Sequence, residues 1–293
     1  MIKEPLEQLF EYVAQHIPSE QIMLAKQEYQ KTTGGIYEDD KSYNSRMALF
    51  LEWYLLDQYA PGTHKTVLEN IIEENPSSLA QEHLELYKDI TNNILAIFEV
   101  KKVRDHSVIV LDLFTDEKYQ VDEEDSKLVF RKNDLLQGRI IPHQEKYYFS
   151  GHFCFHPVKT QRYLKSEAKN IYLIRKIWIK ELNQLEKDLL KVQKSQIKNS
   201  KLIEKVKAKI GRTDISARLE HLRNELSELE QKKEQIIEGI QQIEVGIRHL
   251  KVDKMMLEGR RLTSELINKF AYMNLKWERS RQIDITDIYK NNA

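Results

Sequence analysis

The 293-residue chain is 41% hydrophobic and 31% charged, with nine glycines, six prolines and one cysteine. That composition supports one or two packed domains plus an extended helical element, and it excludes an intrachain disulfide. The formal net charge of zero hides a segregation, net −10 over residues 1–100 and net +10 over residues 158–210, which implies a polyanion partner or contact of the two ends with each other or with a second copy.

Residues 1–93 read as an acidic helical segment. Leu6, Leu9, Phe10, Val13 and Ile17 form the apolar stripe of a first helix. A second follows Pro18 with Ser19 as its N-cap, and Gly34, Gly35 and the acidic run Glu38, Asp39, Asp40 break it. SRMALFLEWYLLDQYA is a third helix centred on Trp53 and closed by Pro61-Gly62. Thr63 caps the next segment, and Pro76-Ser77 opens a helix through LAQEHLELYKDITNNILAIF. The N-terminal MIKEPLEQLFEYV carries acids inside its apolar run, so it does not read as a signal peptide. No 18-residue apolar stretch predicts a membrane span, and the single Cys154 fits a reducing, cytoplasmic compartment.

The period then changes from helical to alternating. Over residues 94–157, AIFEVKKV, SVIVLDLF, EKYQV, KLVF, LLQGRIIP and KYYFSGHFCFH are short β-branched and aromatic bursts separated by polar turns. Five or six such strands predict a small antiparallel barrel of SH3-like or OB-like type.

Residues 158–262 read as an antiparallel coiled-coil hairpin with its turn at 211–214. The first arm carries Ile171, Ile174, Trp178, Leu182, Leu185, Leu189, Val192, Ile203, Val206 and Ile210. Gly211 stands at a C′ position, and Thr213 or Asp214 at the next N-cap. The second arm keeps a heptad through Ile215, Leu219, Leu222, Leu226, Leu229, Lys233, Ile236, Ile240, Ile243, Ile247, Leu250, Lys254 and Leu257. At 1.5 Å per residue each arm would extend about 70 Å. Residues 263–293 are left over, and their Leu266, Ile267, Phe270, Leu275 and Trp277 predict a segment that docks back on the head. The fold class expected is α+β, mostly α.

A lysine stripe marks the first arm: Lys176, Lys180, Lys187, Lys191, Lys194, Lys198, Lys201 and Lys205. Each of Lys176, Lys180, Lys187, Lys191, Lys194 and Lys205 lies two residues, about 200°, beyond a seam residue, so the stripe faces away from the partner arm. Three readings follow: a solvated face that keeps the helix soluble, contact with an acidic protein surface, or a track for nucleic acid or an anionic membrane. The absence of interleaved aromatics weighs against a single-strand binder. The basic hairpin tip, Arg212, Thr213 and Asp214, is a candidate partner probe whose simplest reading is a capped turn. Lys233 and Lys254 interrupt the seam, where polar residues fix register or snorkel to the edge.

HFCFH places His152, Cys154 and His156 on one face of a strand, with His143 one hairpin away. A His-x-His pair can bind zinc. Without a second cysteine or a carboxylate at standard spacing the simpler reading is packing and surface residues, and no cofactor is expected. The acidic clusters at Glu38–Asp40 and Asp122–Asp125 sit in turns, where such residues are common. No phosphate-cradling glycine motif, nucleophile elbow, HExxH or paired CxxC occurs.

FLEWYLLDQYAPG (50–62), LAIFEV (95–100), LDLFTDEKYQV (111–121) and NDLLQGRIIP (133–142) together resemble uncharacterised bacterial proteins in which an EW-LLD helical block precedes a small barrel. The resemblance covers residues 45–157 and implies that order of elements but no activity. The chain therefore reads as a non-enzymatic adaptor or scaffold that self-associates and binds other proteins, its stalk separating head from tip. The alternative is a nucleic-acid-associated protein that uses the lysine stripe.

Overall fold

A computed structural model describes residues 2–290, apart from the side chain of Ser78. The fold is α+β and mostly helical, with one six-stranded mixed sheet. It divides into two compact units, one running to Ile174 and resuming at Gly259, the other Arg175–Glu258.

The first unit begins with α1 (Lys3–His16), whose Leu6, Leu9 and Val13 are buried at helical spacing. Ile17 precedes Pro18 and is extended, which ends the helix. Helix α2 (Ser19–Thr33) follows with Pro18 at the cap position, so Ser19 is its first helical residue and not a cap. Gly34 ends α2 at φ +80°, a left-handed conformation that suits glycine. Arg46, on α3 (Tyr43–Leu56), donates to the carbonyls of Thr33, Gly34 and Gly35 at 2.9, 3.0 and 2.6 Å and fixes that exit. The cap of α4 (Val67–Glu74) is Thr66, not Thr63. Its hydroxyl accepts from the Glu69 amide, while the Glu69 carboxylate accepts from Thr66 N–H. The long helix expected from Pro76 is instead two single 3₁₀ turns and the short α5 (Leu84–Thr91). ILAIF, apolar on both faces, goes to the sheet.

The strands are β1 (Ile94–Val103), β2 (Ser107–Asp112), β3 (Lys118–Asp122), β4 (Leu135–His143), β5 (Lys146–Phe149) and β6 (Cys154–His156). Their pairings close on themselves in the order β1-β2-β3-β5-β4-β1, and β6 adds to β4. All neighbours are antiparallel except β3 and β5, which run parallel. Strand β1 serves both ends of the ring. Ile94–Glu99 pair with β4, Phe98–Val103 pair with β2, and a register shift between Val100 and Lys102 bends the strand between them. KLVF is not a strand. Its Lys127, Leu128 and Val129 lie in the single turn α6 (Ser126–Val129), followed by an extended Phe130; the Ser126 hydroxyl donates to the Arg104 carbonyl at 2.6 Å and Leu128 is 86% exposed.

Two cores meet at β4. Ile140 faces the sheet's interior with Phe98, Val110 and Val121, and Ile141 faces the helical core of Leu6, Phe50, Leu68 and Tyr87. The interior of the sheet is closed by Leu164 and Ala168 from the start of α7 (Gln161–Ile210), by Phe270 and Met273 of α9 (Gly259–Arg279), and by Ile285 and Ile288 of α10 (Ile285–Ile288).

In the second unit α7 continues to Ile210 and α8 (Ser216–Arg248) returns antiparallel to it. Glu186 pairs with Lys251 at 2.9 Å and Lys207 with Glu230 at 3.1 Å, and the Leu185 side chain lies over Gly246. The turn departs from its expected chemistry. Gly211 does not adopt a positive φ. The chain leaves α7 through tight bonds from Arg212 N–H to Lys209 O and from Thr213 N–H to Ile210 O, and the cap position of α8 is Ile215, without a side-chain bond. Lys233 and Ile215, expected in the seam, are exposed. The buried Asn199 takes a seam position instead, donating to the Leu229 carbonyl at 2.9 Å. From His249 to Glu258 the helix widens into ten residues of π-helix, where the half-buried Lys254 pairs with Glu258 at 2.7 Å.

Candidate interaction surfaces

All eight stripe lysines, Lys176, Lys180, Lys187, Lys191, Lys194, Lys198, Lys201 and Lys205, are exposed. The helix places them so because their 3–4 spacing runs roughly opposite Trp178, Leu182, Leu185, Leu189, Val192, Ile203 and Val206, which are buried or half-buried. Lys191 pairs with Asp188 at 2.8 Å. Among the described residues Lys180, Lys187, Lys194, Lys198, Lys201 and Lys205 make no ion pair. The face is also apolar in part. Leu190 is 58% exposed and Ile197 57%. Leu190 lies three and four residues from Lys187 and Lys194, Ile197 the same from Lys194 and Lys201, so apolar and cationic side chains are neighbours on one helix surface. At the tip Arg212 and Asp214 are exposed and Thr213 is half-buried, its hydroxyl donating to the Lys209 carbonyl.

The HFCFH residues do not converge. Strand β6 begins only at Cys154, and Gly151, at φ +97°, turns the chain just before His152. His152 therefore does not share a strand face with the other two. Its Nδ1 contacts Glu52 Oε1 at 2.8 Å. The Cys154 Sγ accepts from Asn274 Nδ2 at 3.0 Å, and burial pushes its thiol up to about 12. His156 is buried between Tyr289 OH at 3.2 Å and Gln137 Oε1 at 3.1 Å, and burial pushes it down to about 3. His143 pairs separately with Asp89 at 2.7 Å. No group of three or more His, Cys, Asp or Glu side chains among the described residues is placed to hold a metal ion.

Sequence reading missed a buried ion cluster. Arg139 of β4, 3% exposed, places Nε 3.2 Å from Glu52 Oε2, pairs through Nη2 with Asp57, and donates from Nη1 to Asn93 Oδ1 at 2.6 Å. Burial opposes its charge, but Asp57 and Glu52 outweigh that and raise its pKa further. A cavity of about 20 Å³, lined also by Tyr29, Gln137 and Asn268, adjoins the cluster, with room for about one water. Glu52 and Asp57 come from the EW-LLD block and Arg139 from LLQGR, so the segments that carried the resemblance hold all three charges. The cluster joins the helical segment to the sheet.

Among the described residues no helix is long and apolar enough to cross a membrane. Residues 2–196 match a family described as a family of unknown function (DUF7986). The match ends inside α7, so the tip and α8 lie beyond it. No curated protein and no solved structure matches the chain.

Proposed function

We propose, for a chain that belongs to this family of unknown function (DUF7986), a non-catalytic adaptor role. In this reading α7 and α8 form a coiled-coil hairpin that binds a partner protein and supports self-association. The ring of strands is a small OB-type barrel in the head. The observation that carries the reading is the mixed outer face of α7, where Leu190 and Ile197 stand more than half exposed among unpaired lysines. Leu190 and Ile197 stand seven residues apart on that face, and a partner helix with apolar and acidic positions would cover both. Leu202, 48% exposed, adds an apolar edge for a second copy.

The test is sedimentation velocity, together with capture of partners from native cells, on the full chain and on Leu190→Glu/Ile197→Glu/Leu202→Glu. The native chain should sediment as an oligomer or retain a specific partner, and the substituted chain should do neither while keeping its helical circular dichroism. The reading fails if the native chain is monomeric at all accessible concentrations and every protein it captures is captured equally by the substituted chain.

A second reading, association with nucleic acid, is favoured by the strand order. The β1-β2-β3-β5-β4-β1 ring with parallel β3 and β5 is the connectivity we assign to an OB-type barrel, an architecture that often binds oligonucleotides or oligosaccharides. The fold analogy alone does not establish that activity. Charge reversal at Lys191, Lys194, Lys198 and Lys201 should abolish salt-sensitive oligonucleotide binding if the stripe supplies the contacts.

A further inference from the structure

We infer that a cleft on the sheet unit, distinct from the lysine stripe, binds the phosphate backbone of a single-stranded nucleic acid. The cleft is a shallow, solvent-open depression of about 740 Å³ lined by Lys101, Lys102, Val103, Lys127, Phe130, Arg131 and Lys132. Its charge is not balanced locally. Lys127 pairs with Asp105, and Lys101 shares Glu99 with Lys165, at 3.0 and 2.8 Å. Burial would raise the Glu99 pKa, but the two ammonium groups hold it below the usual range, so it stays ionised and meets two cations with one charge. Lys102, Arg131 and Lys132 are exposed and have no acidic side-chain partner among the described residues. The nearby Asp134 carboxylate accepts from the Arg131 backbone amide at 2.7 Å. Six cations thus stand against three carboxylates, a local net of +3.

The backbone holds these cations in place. Arg131 and Lys132 sit on a turn closed by Asp134 N–H to Arg131 O at 3.1 Å and tied to β1 by Asn133 N–H to Val100 O at 2.8 Å. Gln161, the first residue of α7, donates to the Asn133 carbonyl at 2.6 Å. Lys101 falls within the register shift of β1, next to Lys102. A preorganised cationic turn loses little freedom when it meets an anion.

The apolar part of the site favours a nucleic acid over a bare polyanion. Phe130 closes the floor of the cleft from the core, only 2% exposed, and its ring lies 5.8 Å from that of Phe155, which stands at the cleft's margin, 37% exposed on the edge strand β6. An exposed aromatic beside a cationic groove is the combination on which unpaired bases stack. The cleft is wide and open to solvent, as a passing strand requires. The ligand class is the one in the second reading above, but the site is separate and its residues differ.

The experiment is fluorescence anisotropy with a labelled 20-nucleotide oligo(dT), at low and at physiological salt, with inorganic polyphosphate as a competitor. The native chain should bind at low salt. Lys102→Glu/Arg131→Glu/Lys132→Glu should weaken binding more than tenfold and flatten the log–log salt slope by about 2, since each single-strand phosphate contact contributes about 0.7. Phe155→Ala should weaken it about tenfold. Lys102, Arg131 and Lys132 are exposed, so unchanged circular dichroism and melting should accompany the loss in the triple variant. Lys191→Glu/Lys194→Glu/Lys198→Glu/Lys201→Glu should leave binding within about twofold. Loss in that stripe variant with native binding in the cleft variant would overturn the cleft and leave the stripe reading standing. No binding by the native chain overturns both. Equal displacement by polyphosphate of the same charge, with no effect of Phe155→Ala, overturns the assignment to a nucleic acid.

Discussion

Replacing Arg139 with alanine is expected to destabilise the sheet-containing unit by about 3–5 kcal/mol. The guanidinium is the common partner of Glu52, Asp57 and Asn93, and the two carboxylates are buried with it. Removing it leaves two like charges desolvated and, apart from the contact of Glu52 with His152, uncompensated. One relief route is for the helical segment to shift from β4 and admit water. Arg139→Lys should recover little, because one ammonium cannot reproduce the planar fork that reaches three acceptors. Arg139→Met with Glu52→Gln and Asp57→Asn should recover part of the loss, since neutral amides, though short of partners, cost less to bury than unpaired charges. Urea unfolding followed by circular dichroism measures these differences. A loss under about 1 kcal/mol for Arg139→Ala would mean that Glu52 and Asp57 reach solvent readily and that the cluster does not hold helices and sheet together.

That cluster also shows where reading the sequence stops. The switch from helix to strand near residue 94 is visible because the period of apolar residues changes from 3.6 to 2, a local property. The outward face of the lysines follows from helix geometry, and Gly211 with Thr213 and Asp214 marks the turn after Ile210 even though its caps form differently. The triad does not, because Glu52 and Arg139 meet only after the helical segment has packed on β4. In sequence Glu52 looks like any acid on an amphipathic helix. Its signal was the resemblance, whose EW-LLD and LLQGR segments carry Glu52, Asp57 and Arg139.

Other departures have local causes that compete with the pattern. KLVF has strand-like residues, but the Ser126 hydroxyl bonded to the Arg104 and Asp105 carbonyls favours a single helical turn. Gln196 and Asn199 fill the seam steps between Val192 and Ile203, and a reading that follows only apolar residues passes over them. Asn199 keeps a buried Oδ1 without a hydrogen-bond partner, a polar layer of the kind that fixes register between paired helices. HFCFH alternates like a strand, yet Gly151 ends that alternation before His152.

The second large effect concerns pH. His156 is buried, and its folded pKa is pushed down to about 3 from the ordinary 6.5. Gln137 Oε1 accepts from the ring's Nε2–H and Tyr289 OH donates to Nδ1 in the neutral tautomer that this geometry fits. Above pH 6.5 the imidazole is neutral in both folded and unfolded chains, and the packing of His156 against Phe270 and Tyr289 is fully available. As pH falls from 6.5 towards 3 the unfolded chain takes up a proton that the folded chain refuses. Stability from this residue is therefore lost by about 1.4 kcal/mol per pH unit, about 2 kcal/mol by pH 5. Carboxylates held low by partners, such as Glu99, lose their contribution only at more acidic pH. His156→Gln removes the titrating ring, so it should be less stable than the native chain at pH 7 and lose about 2 kcal/mol less between pH 7 and pH 5. The two proteins differ only at residue 156, so the difference between the two urea curves isolates His156. Parallel losses in the two proteins would show that the ring gains its proton without unfolding, and that the contact between β6 and the C-terminal residues opens to water before the rest of the unit does.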